Sequence, residues 1–298
     1  MIGKSWIVFV QAIILSFESI IVEFLTEIPG ISSILVAGIS IPIAGAVLLF
    51  VQNVFSDQKI TVFKSWKLLF SGSLFLTAAV FLWYDSVTRV GATKEGLLAG
   101  PLEAVIVVVL ARLFLNERLR KKQLAGVVIA LSGFLATVSS SSLRLTLLFS
   151  IPLTFGDFEA ICSALTFAAG IIFMTRLVER HNPIEVSGGS LLISGLILAA
   201  ILIPRMAWSY PGIESLLILI LFSLVPMAAA FLYVIGLGRI GASLTSTIAS
   251  SNILFTLLFQ LAFRAFGIRA NLPENILLAV IGGALGILGI YLIHVDRL

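Results

Sequence analysis

The sequence predicts an all-α integral membrane protein of ten transmembrane helices, arranged as two inverted five-helix repeats. Three observations predict it. The apolar share is 59% and only 11% of residues are charged, where a soluble domain carries roughly 25%. The apolar residues gather into ten runs, most near the ~20 residues that cross a bilayer core. Those runs fall into two sets of five that share landmarks 150 positions apart.

Read against proline, glycine and charge punctuation, the spans are expected at 6–26, 32–51, 68–88, 92–114 and 124–138. The second set follows at 157–178, 184–203, 216–238, 242–265 and 274–294. The first run follows Lys4 but carries Glu18 and leads to Thr26-Glu27-Ile28-Pro29. No small-residue cleavage site closes it, so it reads as a span and not a signal peptide. The fifth run is short for a full crossing. Asp157 and Glu159 open the sixth, where acids favour the positive end of the helix dipole. Asn182-Pro183-Ile184-Glu185 opens the seventh with an N-cap residue, a proline at N1 and an acid at N3.

The chain divides at a polar stretch that includes Ser139-Ser140-Ser141-Ser142. The expected organisation is a first repeat over 1–138, a linker over 139–155 and a second repeat over 156–298. A shift of 150 aligns Phe81-Leu82-Trp83 with Phe231-Leu232-Tyr233, Arg89 with Arg239, and Gly91-Ala92 with Gly241-Ala242. Six further residues of offset align Gly126 and Gly133 with Gly282 and Gly289. Five is odd, so the second half enters the membrane from the opposite side. Such inverted repeats form two related gates around a midplane site.

With ten spans both termini share a side. Thirteen of the 19 Lys and Arg residues fall there, with the densest run at Arg118-Leu119-Arg120-Lys121-Lys122. Positive charge marks the cytoplasmic face, so both termini are expected in the cytoplasm. The net charge of +4 therefore reads as orientation in a lipid bilayer, not as a nucleic-acid surface. Cys162 is the single cysteine, and His181 and His294 are the only histidines. Neither a disulfide framework nor a histidine–cysteine metal motif can be built from them.

From Gly91-Ala92 the sequence runs through Pro101 to Leu115-Asn116-Glu117-Arg118-Leu119, then Gln123 and Gly126. This order resembles the drug/metabolite transporter superfamily, in its ten-helix EamA-type branch. There a helix with a central proline leads to a Glu-x-Leu turn and then to Gln-x-x-Gly. The second half departs from that pattern: Ser251 stands opposite Pro101, and Gly267 opposite Glu117. The resemblance implies export or exchange of small molecules such as amino acids, drugs or nucleotide-linked metabolites. It also implies no bound cofactor, cytoplasmic termini and a prokaryotic cytoplasmic membrane.

A charge at the bilayer centre costs at least ~2.5–3.5 kcal/mol, so each intramembrane acid calls for a reason. Glu18 lies inside the first span, with Gln11 on the same helix face. Glu103 lies in the fourth, two residues past Pro101, which frees the carbonyl of Leu97. Asn252 is the second-half counterpart near the midplane, and Gln260 lies further along the same span. Trp83 and Tyr84 read first as interfacial aromatics and second as cavity walls, with Tyr233 the partner of Trp83 in the other half. Asp85 is expected to be solvated or paired with Arg89 or Lys94. Gly96, Gly100 and Ala104 form a small-residue stripe expected to pack against another helix, as do Gly282 and Gly286. The Gly282–Gly286 stripe is expected to make an internal contact, with a homodimer contact as the alternative.

These features point to a secondary transporter with a cavity between its halves, working by alternating access. Amino acids or related metabolites are the first expectation for substrate, on the resemblance alone. A proton-coupled exporter of cationic drugs is the alternative, because Glu18 resembles the first-helix glutamate of small multidrug transporters. An intramembrane enzyme acting on lipid would need clustered acids, histidines or a metal, and the acids here are scattered. A non-transporting sensor or scaffold subunit is the third reading.

Overall fold

Backbone immersed in lipid must satisfy its own hydrogen bonds, and a helix does so within a single segment. The computed structural model describes residues 5–56, 59–139, 154–206, 212–267 and 275–295, and helix dominates them. The first half holds α1 (Trp6–Glu27), α2 (Ser33–Phe55), α3 (Trp66–Val90), α4 (Ala92–Phe114) and α5 (Lys121–Ser139). The second holds α6 (Phe155–Val178), α7 (Pro183–Met206), α8 (Ile213–Phe222), α9 (Leu224–Ile240), α10 (Ala242–Ala249), α11 (Asn252–Ala265) and α12 (Ile276–Val295). Most of the inter-repeat linker lies outside the described residues.

Eight segments are long and apolar enough to cross a membrane: α1, α2, α3 with its preceding 3-10 turn, α4, α6, α7, α8 with α9, and α10 with α11. Helices α5 and α12, of 19 and 20 residues, bring the helical segments to ten. Helix α5 begins at Lys121, so it is longer than the apolar run alone suggested. Large side chains such as Phe50, Leu113, Leu221 and Leu277 are exposed on the outer surface, where lipid is the solvent.

Two expected spans are interrupted. At Ser223 the helix breaks between α8 and α9, three residues before Pro226. A proline there removes the N–H that would bond the Phe222 carbonyl and crowds that oxygen. The second break, at Ser250–Ser251, has no proline. Hydroxyl side chains line this region and offer the backbone other partners. Ser250 Oγ donates to the Ser246 carbonyl at 2.9 Å, and Ser251 N–H reaches only as far back as Ile248.

Starts and corners follow local rules. Thr154 and Asp157 close a reciprocal capping box on α6. Asn182 Oδ1 accepts from Ile184 N–H, and Glu185 accepts from Asn182 N–H. Glu185 also reaches across to the backbone N–H groups of Thr61 and Val62. Gly91 and Gly241, the aligned pair, both have φ +84° and serve at once as C-cap of one helix and N-cap of the next. That left-handed corner favours glycine.

The halves meet in reciprocal contacts. A Cβ built on Gly133 of α5 would lie 2.5 Å from the Gly282 carbonyl oxygen of α12. One on Gly289 would lie 2.5 Å from that of Gly126. Gly126 aligns with Gly282 and Gly133 with Gly289, so the two contacts are images of each other. Helices α2 and α7 repeat the arrangement at an offset of 150. A Cβ built on Gly45 would lie 2.7 Å from Leu192 Cα, and one on Gly195 would lie 2.6 Å from Pro42 Cα. Contacts in which i meets j and the counterpart of j meets the counterpart of i are the signature of a two-fold relation. The Gly282–Gly286 stripe is an internal contact, as expected from the sequence.

Candidate functional site

Helices from both halves line a cavity of about 170 Å³. Its lining includes Gln11 and Glu18 from α1, Trp83 from α3, and Glu95, Gly96, Ala99, Gly100 and Glu103 from α4. The second half supplies Ser163 and Phe167 from α6, Ser187, Ser190 and Ser194 from α7, Tyr233 from α9 and Asn252 from α11. Six of the seven residues singled out from the sequence meet here: Gln11, Glu18, Trp83, Glu103, Tyr233 and Asn252. Pro101 does not line the cavity; it is buried beside it, immediately after Gly100.

Each cavity acid faces a neutral polar group. Tyr84 hydroxyl donates to Glu18 Oε1 at 2.6 Å, and both residues are buried. Trp83 Nε1–H donates to Glu95 Oε2 at 3.1 Å. Tyr233 hydroxyl lies beside the Glu103 carboxyl without closing a well-formed hydrogen bond. Trp83 and Tyr84 are 7% and 0% exposed, which corrects the interfacial reading. A hydrogen-bond donor with an aromatic body suits a buried carboxyl better than a headgroup region, since an unpaired buried acid is costly.

Glu95 is the site residue that sequence reasoning missed. It stands in the first turn of α4 and was not among the residues singled out from the sequence. The signal lay in spacing: positions 95, 99 and 103 recur every four residues and share one face of α4. Gly96 belongs to the same face. A Cβ there would meet nothing within 4 Å, so this part of the stripe opens the cavity and does not pack a helix. Gly100 does approach a neighbour, with a built Cβ 3.2 Å from Ile253 Cδ1. The α7 serines were also missed, as scattered small polar residues on an apolar helix. Ser194 Oγ donates to the Ser73 carbonyl at 2.9 Å and Ser190 Oγ to Val186 at 2.6 Å.

Several polar atoms remain unpartnered inside the protein: Gln11 Oε1, Asn252 Oδ1 and the hydroxyls of Tyr233, Thr245 and Ser251. Buried polar groups are normally hydrogen-bonded, and three of these five residues line the cavity. Gln260, further along α11, is satisfied by Thr93 at 2.5 Å.

Three ion pairs among the described residues sit together at one end of the bundle. Arg89 bridges Asp85 at 2.9 Å and Glu159 at 3.0 Å, and Lys94 meets Asp157 at 2.6 Å. Ser33 adds a hydroxyl to Asp85 at 2.6 Å. Asp85 thus pairs with Arg89, and Asp157 serves both as cap and as partner of Lys94. At the other end, Glu117 caps α10, accepting from Ala242 N–H at 2.7 Å and Ser243 N–H at 3.1 Å. Gly267 cannot do this for α4, and Glu23 of α1 accepts from Ala92 N–H instead, at 3.1 Å.

Among the described residues no group of three or more histidine, cysteine, aspartate or glutamate side chains is arranged to hold a metal ion. No curated protein matches the chain. A solved structure described only as a crystal structure of a protein is similar to it, with a TM-score of 0.73 and 18% sequence identity. That match covers 98% of this chain and 97% of the other, and it carries the fold. The model of the EamA-like transporter family matches twice, over residues 2–139 and 154–295. With a helical membrane fold, a duplicated architecture and a cavity between the halves, the chain belongs to the EamA-like family of secondary transporters, within the drug/metabolite transporter superfamily.

Proposed function

We propose that the protein moves small organic cations across the membrane by alternating access around the cavity between its halves. The observation that carries this is the lining itself: three carboxyl side chains, Glu18, Glu95 and Glu103, and no lysine or arginine. Such acids in low dielectric are neutralised by a proton or by a positively charged ligand. The aromatic faces of Trp83, Phe167 and Tyr233 add attraction for a cation. Export coupled to protons follows the same logic, a proton leaving a glutamate as the substrate's charge arrives.

An odd number of spans in each half turns the two-fold axis into the membrane plane. The Arg89–Asp85–Glu159 cluster and the Glu117 cap of α10 then lie at opposite mouths, as outer and inner closures. On this reading the repeats divide at 139–155, with both termini in the cytoplasm.

An amino acid is the second reading. Asn252 and the start of α11 at the helix break offer polar groups to a carboxylate, while a glutamate takes the ammonium. It lacks a basic partner for the carboxylate, so the cation reading is preferred. Flux into proteoliposomes under an imposed pH gradient tests the two. Uptake of a labelled alkylammonium, and not of a zwitterionic amino acid, is expected. Amino-acid flux without cation flux would reverse the order.

A further inference from the structure

Resting on the cation reading above, we infer that the preferred substrate carries two positive nitrogen centres, held one each by Glu95 and Glu103 along one face of α4. The two acids lie eight residues apart on a helix, which puts their Cα atoms about 12 Å apart along the axis. Gly96 between them has no neighbour within 4 Å of a built Cβ, while Gly100 approaches Ile253, so the face joining the two acids is open on the Glu95 side, and Gly96, Ala99, Gly100 and both acids line one cavity.

The ends are built differently. Glu95 already accepts from Trp83 Nε1–H through Oε2, which fixes the carboxyl and leaves its other oxygen for a ligand. A carboxylate accepts about four hydrogen bonds. Glu103 has the Tyr233 hydroxyl beside it, and that hydroxyl has no closed hydrogen bond. Gln11 supplies an independent sign of a missing ligand. It is 2% exposed, lines the cavity and leaves Oε1 unpartnered. An ammonium has three donors and no acceptor, so it can serve a carboxylate and an amide oxygen together. A substrate with one positive centre would leave the other α4 acid to be neutralised by a proton, whereas two centres engage both acids. Glu18, held by Tyr84 across the cavity, remains for proton coupling.

The test is a competition series on the purified full-length protein, with straight-chain α,ω-diamines and the corresponding single amines. Diamines are expected to bind on the order of tenfold tighter than single amines of equal length. The preference should peak where the nitrogens lie no more than about 12 Å apart. Glu95→Gln and Glu103→Gln should each erase the diamine advantage without abolishing binding of the single amine. If the variants do not fold, the chain-length series on the unaltered protein decides alone. Equal affinity for single and double amines at every length would overturn the two-centre inference and leave cation transport standing. Failure of folded protein to bind any amine would overturn the cation reading itself.

Discussion

Ser250 Oγ donates to the carbonyl of Gly100 at 3.0 Å, and the two residues are 150 positions apart. That is the offset relating Gly91 to Gly241 and Trp83 to Tyr233, so counterparts in the two halves touch each other. A residue meets its own counterpart only near the two-fold axis. The break between α10 and α11 is therefore joined to Gly100, the cavity residue beside Pro101, at the axis that relates the halves. The hydroxyl also serves a carbonyl one residue before a proline, where helical geometry is disturbed.

The glycine contacts across the axis should be intolerant, and equally so on both sides. Gly133→Ala and Gly289→Ala each place a Cβ about 2.5 Å from a facing carbonyl oxygen. Overpacking of this kind costs typically ~1–3 kcal/mol. Both variants are expected to lower the thermal midpoint by similar amounts. Gly96→Ala, with open space around it, should leave the midpoint unchanged and reduce flux by narrowing the cavity. A stable Gly133→Ala beside an unstable Gly96→Ala would contradict the packing described.

Glu103→Gln and Glu18→Gln should impair transport while the protein still inserts and folds, because glutamine keeps the size and polarity. For Glu18→Gln the pH dependence of flux should disappear as well. Tyr84→Phe removes the donor that orients Glu18 and is expected to weaken flux less than Glu18→Gln does. Proteoliposome flux at several pH values reads all three. Full flux with an unchanged pH profile in both glutamine variants would leave these acids with a structural role only.

Glu117 holds two N–H groups at the start of α10. Glu117→Ala is expected to cost about 0.5–2 kcal/mol, the usual range for losing a helix cap. Glu117→Gln should recover part of it, since an amide oxygen still accepts one bond. Denaturation midpoints in detergent measure this directly. Identical midpoints for all three proteins would show that the cap contributes nothing.

Orientation can be read with cysteines placed at Lys121 and Gly212 in a variant lacking Cys162. Lys121 should react with an impermeant reagent only from the cytoplasmic side, and Gly212 only from outside. Labelling of both from one side would break the five-plus-five inverted arrangement.

Much of the architecture was legible because it follows from composition and spacing. Apolar runs near twenty residues can only be helices in lipid. The aligned glycines were legible as landmarks of the repeat; that Gly91 and Gly241 form left-handed corners and that Gly133 and Gly289 bring α5 against α12 came from the structure. The break at Ser250–Ser251 was not legible, since serine is tolerated inside helices and no proline marks the place. Glu95 escaped for a related reason: near a helix start, an acid has an ordinary explanation in the dipole. Trp83 and Tyr84 were first placed at the headgroups, because sequence gives depth along a helix but not the direction a side chain takes around it.

By itself the sequence determined that the chain is helical, membrane-embedded and duplicated, because bilayer thickness and backbone hydrogen bonding leave few alternatives. It also supplied six of the residues that line the cavity, because a polar side chain inside an apolar run needs a partner. Only the tertiary structure decided which polar residues face one another. The pairing of Glu18 with Tyr84 and of Glu95 with Trp83, and the gathering of three acids around a space without a basic residue, depend on how α1, α3 and α4 are rotated about their axes. That rotation is set with the packing against the other half, across contacts as far apart in sequence as Arg89 with Glu159 and Ser16 with Asn252.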